Sequence, residues 1–169
     1  MPRVIIILGS KTDLPELEES KATDFLDACG LGWELWIASA HRHHDDLTAE
    51  VKSAFATYYA DGLFFICAAS MSATLSGIVE AMTDMYVPVY GVALQSSARP
   101  DARDAEESIS RMPSGVPVAF MGIGKPGFEN AAMQICQIVA MLRGGDFLAK
   151  YRALRDVQKA EKPFAIPLR

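Results

Sequence analysis

The chain is poor in the residues that build disulfides and metal sites: its 169 residues include three cysteines and three histidines. Cys29, Cys67 and Cys136 are odd in number, widely spaced and without a CxxC pair. A disulfide framework and a zinc ribbon are therefore excluded, and the three read as reduced, buried thiols. Long apolar runs are missing too. The opening "MPRVIIILGS" breaks at Gly9 and Ser10, too soon for a signal segment or a membrane span, and no later stretch is longer and apolar enough. Basic charge is not in excess, since the net charge is −5, so nothing points to a nucleic-acid-binding surface. Repeats and low-complexity tracts are absent, which sets solenoids aside. The reading is of a soluble, cytoplasmic protein with no nucleic-acid or membrane partner.

What is there is ordinary in amount and ordered in arrangement. Half of the residues are hydrophobic and 22% are charged, a balance that folds. The length fits one domain burying about two thirds of its unfolded surface. Five short β-prone runs occur: Arg3 to Leu8, Trp33 to Ala38, Gly62 to Cys67, Val87 to Ala93 and Val116 to Gly122. Helical patterns follow them at Leu14 to Cys29, Asp45 to Tyr59, Ser72 to Met82 and Glu129 to Leu142. This alternation is the mark of a parallel sheet covered by helices. In the first helical pattern Leu17, Ala22, Phe25, Leu26 and Cys29 recur at helical spacing, and Gly30 stops it. "RGGDF" reads as a hinge into a last helix ending near Pro163. One catalytic domain is thus expected over 1–143 and a helical extension over 144–169. Phe147, Leu148, Tyr151, Leu154 and Val157 give that extension an apolar stripe, read as an arm on a neighbouring subunit.

Open parallel sheets bind ligands beyond the carboxyl ends of their strands, so the loops there are the place to look. After the first strand comes "GSKTD" (Gly9 to Asp13). Its small residues let backbone amides approach an anion, with Ser10 and Thr12 offering hydroxyls; equally, Thr12 or Asp13 caps a helix. After the second comes "SAHRHH" (Ser39 to His44), which holds every histidine of the chain. Metal-ligand spacing is not present, so no metal is assigned. His43 and His44 sit at a helix start beside Asp45 and Asp46. His41 stands between Ser39 and Arg42 at the strand's end. There an imidazole, ordinary pKa near ~6.5, either moves a proton at neutral pH or holds the turn. After the third strand, "AASMSATLSG" (Ala68 to Gly77) either lets a planar ligand lie against backbone or caps a helix through Ser72 or Thr74. With Arg42 as phosphate partner, the loops together point to a phosphorylated small molecule.

These motifs in their order, with "RMPSGVPVA" (Arg111 to Ala119) and "GIGKPGFENAA" (Gly122 to Ala132), resemble the N5-carboxyaminoimidazole ribonucleotide mutase family of purine biosynthesis, over about Val4 to Leu142. The resemblance implies a flavodoxin-like three-layer α/β/α sandwich with a five-stranded, mostly parallel sheet, assembled as a homo-octamer with its site where subunits meet. It implies Ser10 and Asp13 on phosphate and ribose, Ser39 and Arg42 on the phosphate, His41 as the proton carrier, and Ala69 and Ser70 facing the imidazole and its carboxylate. The substrates are an aminoimidazole ribonucleotide derivative and CO2, and neither metal nor organic cofactor is implied.

The third loop departs from the family pattern "GAGGAAHLPG": Thr74 replaces the His, Ser76 the Pro and Met71 a Gly. Leu14 stands where the mutases usually carry Trp. "LSG" and "RMPSG" resemble the sister aminoimidazole ribonucleotide carboxylases, which take free CO2, although those usually have Lys at the position of Arg42. The expected activity is therefore the mutase, with the direct carboxylase as first alternative and a non-catalytic nucleotide binder as second.

Overall fold

The computed structural model describes residues 1–159. Its strands are β1 (Arg3–Leu8), β2 (Gly32–Ile37), β3 (Leu63–Ser70), β4 (Val89–Leu94) and β5 (Ala119–Ile123). Its helices are α1 (Leu14–Glu18), α2 (Ala22–Ala28), α3 (His44–Tyr58), α4 (Leu75–Met82), α5 (Arg103–Ser110), α6 (Gly124–Arg143) and α7 (Gly145–Gln158). The sheet order is β2-β1-β3-β4-β5. Every pairing is parallel, so the sheet expected to be mostly parallel is wholly so among the described residues.

Period-two alternation makes this a three-layer structure, because successive side chains of a strand leave on opposite faces. Val4, Ile6 and Leu8 of β1 enter one core with Phe25, Leu26, Phe128 and Ile135 of α2 and α6. Ile5 and Ile7 enter the other with Leu47 and Val51 of α3 and Leu75 and Val79 of α4. Both faces of β1 are buried, which is why its run is continuously apolar. The edge strands β2 and β5 are only half-buried.

Strand bounds shift by up to three residues, with β5 starting at Ala119 and not Val116, and three helical segments depart most from the sequence expectation. The helix expected over Leu14 to Cys29 is broken at Ser20. Its buried hydroxyl donates to the Leu17 carbonyl at 2.7 Å and accepts from the Ala22 N–H at 3.3 Å, closing α1 and opening α2. The apolar residues picked there are nonetheless all buried. Next, α5 was not expected; it buries only Ala105 and Ile109, too short a stripe to announce itself. Finally, α6 starts at Gly124 and not Glu129. Proline is tolerated in a first helical turn, and a Cβ at Gly127 would lie 2.7 Å from the Gly122 carbonyl oxygen, so glycine lets helix and strand end touch.

The last helix folds back on its own chain. Phe147, Tyr151 and Leu154 of α7 pack against the α2/α6 core, and Val157 stays 75% exposed. The expected helix end near Pro163 and the remainder of the arm lie outside the described residues. No helix among the described residues is long and apolar enough to cross a membrane.

Candidate active site

Winding outward from β1 to β2 and then back to β3 leaves a crevice beyond the carboxyl ends of β1 and β3, where an open α/β sheet takes its ligand. A cavity of about 100 Å³ occupies it, lined by the loops after β1, β2 and β3. Ser10, Asp13, Ser39, His41, Ala69 and Ser70 all line it. Beside it a hollow of about 580 Å³ shares Ser10, Asp13 and Ser70 and extends to Gln95, Ser96 and Ser97 after β4. Gly9 permits the close approach of the first and third loops: a Cβ there would lie 3.2 Å from that of Ala69.

The first loop is a short 3-10 turn over Lys11–Asp13. Ser10 caps it, its Oγ accepting from the Thr12 N–H at 3.3 Å and from the Thr12 hydroxyl at 2.9 Å. Neither Thr12 nor Asp13 plays the helix-capping part open to it, since the Asp13 side chain makes no capping bond to α1. The Asp13 carboxyl is only 5% exposed, and burial lifts its pKa above the usual carboxylate range against the pull of a backbone hydrogen bond at Ser10. A buried carboxyl left uncommitted by the helix is available to a ligand's hydroxyl groups.

The second loop is a turn tied at its base. The Arg42 and His43 N–H groups donate to the Ser39 carbonyl at 3.2 and 2.9 Å, and the Ser39 N–H donates to Nδ1 of His43 at 3.1 Å. His43 thus locks the turn just before α3, and His44 opens that helix. His41 is exposed on the cavity wall. Arg42 is also exposed, outside the cavity lining.

The third loop carries the family departures into the site. Met71 keeps a left-handed backbone, φ +58°, where the family pattern has glycine, and its side chain is 52% exposed on the outer hollow. Thr74 precedes α4 without capping it; its Oγ1 lies 3.3 Å from Nε2 of His41. Sequence reasoning marked Thr74 as a departure and as a helix-cap candidate, not as a partner of His41, and named none of Gln95, Ser96 and Ser97. Their one signal was membership of a loop after a strand. Farther along α4, Ser76 and Glu80 are each 1% exposed, and Ser76 Oγ and Glu80 Oε2 have no hydrogen-bond partner among the described residues. Burial pushes the Glu80 carboxyl up to about 7.

Fold and site define a doubly wound α/β protein with a small-ligand site at its switch point. Within that class the chain belongs to the AIR carboxylase family, whose family model matches residues 3–161. It is 38% identical over 138 residues to the N5-carboxyaminoimidazole ribonucleotide mutase of Brucella melitensis, spanning 82% of this chain and 80% of that protein. It is 39% identical over 159 residues to the phosphoribosylaminoimidazole carboxylase of Schizosaccharomyces pombe, 94% of this chain but 27% of that longer protein. Among solved structures it is similar to PurE of Treponema denticola, with a TM-score of 0.78 at 24% identity over 95% of this chain and 94% of that one, a likeness of fold. The family resemblance carried by the loop motifs is thereby borne out.

Proposed function

We propose that the protein is an N5-carboxyaminoimidazole ribonucleotide mutase, moving a carboxylate from the exocyclic N5 to ring carbon C4 of one nucleotide. The observation that carries the reading is that Ser10, Asp13, Ser39, His41, Ala69 and Ser70, drawn from two loops and the end of β3, line a single cavity. Relatives bearing that activity's name run at 34–40% identity over most of the chain.

The chemistry asks little beyond proton transfer and shelter. Breaking the N5–carboxylate bond releases CO2 as N5 takes a proton, leaving an electron-rich ring. C4 then attacks CO2, and its proton departs as the ring regains aromaticity. One proton enters and one leaves, so a single imidazole, His41, serves as acid and then as base. The small residues Ala69 and Ser70 let the flat ring lie against backbone, so that the bound ring itself takes the place of water and keeps CO2 beside C4. Ser10 and Asp13 take ribose and phosphate. Ser39 and Arg42 complete the phosphate's contacts, Arg42 supplying the positive charge.

The same reading includes a homo-octamer with sites completed between subunits, in the cytoplasm. Met141, Leu142 and Tyr86, exposed at 75%, 77% and 66%, are apolar surface for such contacts. A folded, active monomer in light scattering contradicts the assembly.

The Schizosaccharomyces pombe relative keeps the direct carboxylase as the second reading. Offering the purified protein the carbamate nucleotide, or aminoimidazole ribonucleotide with bicarbonate, separates them: the mutase consumes the first. Consumption of the second alone establishes the carboxylase, and turnover of neither contradicts both.

A further inference from the structure

A threonine at a helix N-cap ordinarily turns its hydroxyl onto the free N–H groups of its own first turn. Thr74 does not: no side-chain bond caps α4. Its hydroxyl instead meets Nε2 of His41, 33 positions earlier in the chain. Both partners rest on constrained backbone. The Thr74 N–H donates to the Ser72 carbonyl at 2.7 Å and the Ile78 N–H to the Thr74 carbonyl at 3.1 Å, while His41 sits in the turn closed on Ser39. Both line the cavity.

The choice of hydroxyl has a chemical consequence. Nε2 of an imidazole accepts a hydrogen bond when bare and donates one when protonated, and a hydroxyl both donates and accepts by rotating about a single bond. A hydroxyl can therefore stay bonded to a ring that alternates between acid and base, which a group limited to donating or to accepting cannot. Resting on His41 as the proton carrier, the geometry points to Thr74 as a positioning residue. Its hydroxyl holds the His41 ring in one orientation through both protonation states, at the position where the family pattern carries a second imidazole.

The test compares Thr74→Val, which keeps the shape and removes the hydroxyl, with Thr74→Ser, which keeps the hydroxyl. Because the hydroxyl caps nothing in α4, both variants are expected to keep the wild-type Tm and KM. Thr74→Val is expected to lower kcat about tenfold, the worth of one hydrogen bond, and Thr74→Ser to restore most of it. In the ligand-free protein, the ring-nitrogen NMR shifts of labelled His41 should move toward those of a free imidazole in Thr74→Val and stay in Thr74→Ser. Unchanged shifts, or a Thr74→Val enzyme with wild-type kcat, overturns the inference. The NMR readout needs no turnover, so it judges the contact even if the assigned reaction fails, whereas an active His41→Asn enzyme counts against the reaction's proton carrier alone.

Discussion

The two faces of the sheet are built to different standards. On the face of α1, α2 and α6 the core is one continuous apolar body reaching from Val4 to Val139, and the buried Ser20 hydroxyl within it is bonded twice. On the face of α3 and α4 the core is smaller, and α4 carries a buried hydroxyl and a buried carboxyl, at Ser76 and Glu80, whose oxygens Oγ and Oε2 have no partner among the described residues. The helix that presents Thr74 to His41 thus lies on the less settled face. Sites that must accommodate a ligand draw on the elements with less stability to spare.

Breaking the strong face should have the largest effect on stability. Ile135 on α6 is fully buried in that core, and Ile135→Ala should cost about 2–5 kcal/mol through lost burial and the cavity it leaves. Urea unfolding measures it. A loss below about 1 kcal/mol would mean that this face is plastic, against the comparison.

The weak face is sharpened by pH. The folded Glu80 carboxyl titrates near 7 against an ordinary 4.5, so between these values the folded state keeps a proton that the unfolded chain has released. Stability on this account falls as pH rises through that window, by up to about 3 kcal/mol in all. Glu80→Gln removes the ionisation. It is expected to leave stability near wild type at pH 5 and raise it at pH 8, as read by Tm at the two values. An equal effect at both means that the Glu80 carboxyl is not held protonated.

The smallest change concerns Met71. A left-handed backbone disfavours any residue with a Cβ, so Met71→Gly should gain about 0.5–1 kcal/mol after the entropy of glycine is counted. A lower Tm in the variant means that the side chain's contacts outweigh the strain.

The same division separates what was legible in the sequence from what was not. Continuous apolar runs fixed the bounds of β1 and placed β2 within a residue. The small residues Ala68, Ala69 and Ser70 hid the end of β3, since they have no β preference of their own and are drawn into the sheet by pairing with Val92, Ala93 and Leu94. Motif order brought out the cavity's six named residues because each lies at or just beyond the carboxyl end of a strand. The contact of Thr74 with His41 was out of reach. A helix starting at Ser72 would enclose Thr74 in its first turn; α4 starts at Leu75 and leaves the side chain free to turn to a loop from another part of the chain. Such a placement depends on where two separate elements end in space, which periodicity does not encode.

The central claim is that His41 carries the proton in carboxylate transfer. Asparagine keeps much of the imidazole's shape but exchanges no proton near neutral pH, so the direct measurement is single-turnover and steady-state rate of purified His41→Asn on the carbamate nucleotide, with nucleotide affinity measured alongside. The account predicts a rate about 100- to 10,000-fold below wild type with affinity and Tm retained. A variant that keeps more than about a hundredth of the wild-type rate contradicts it.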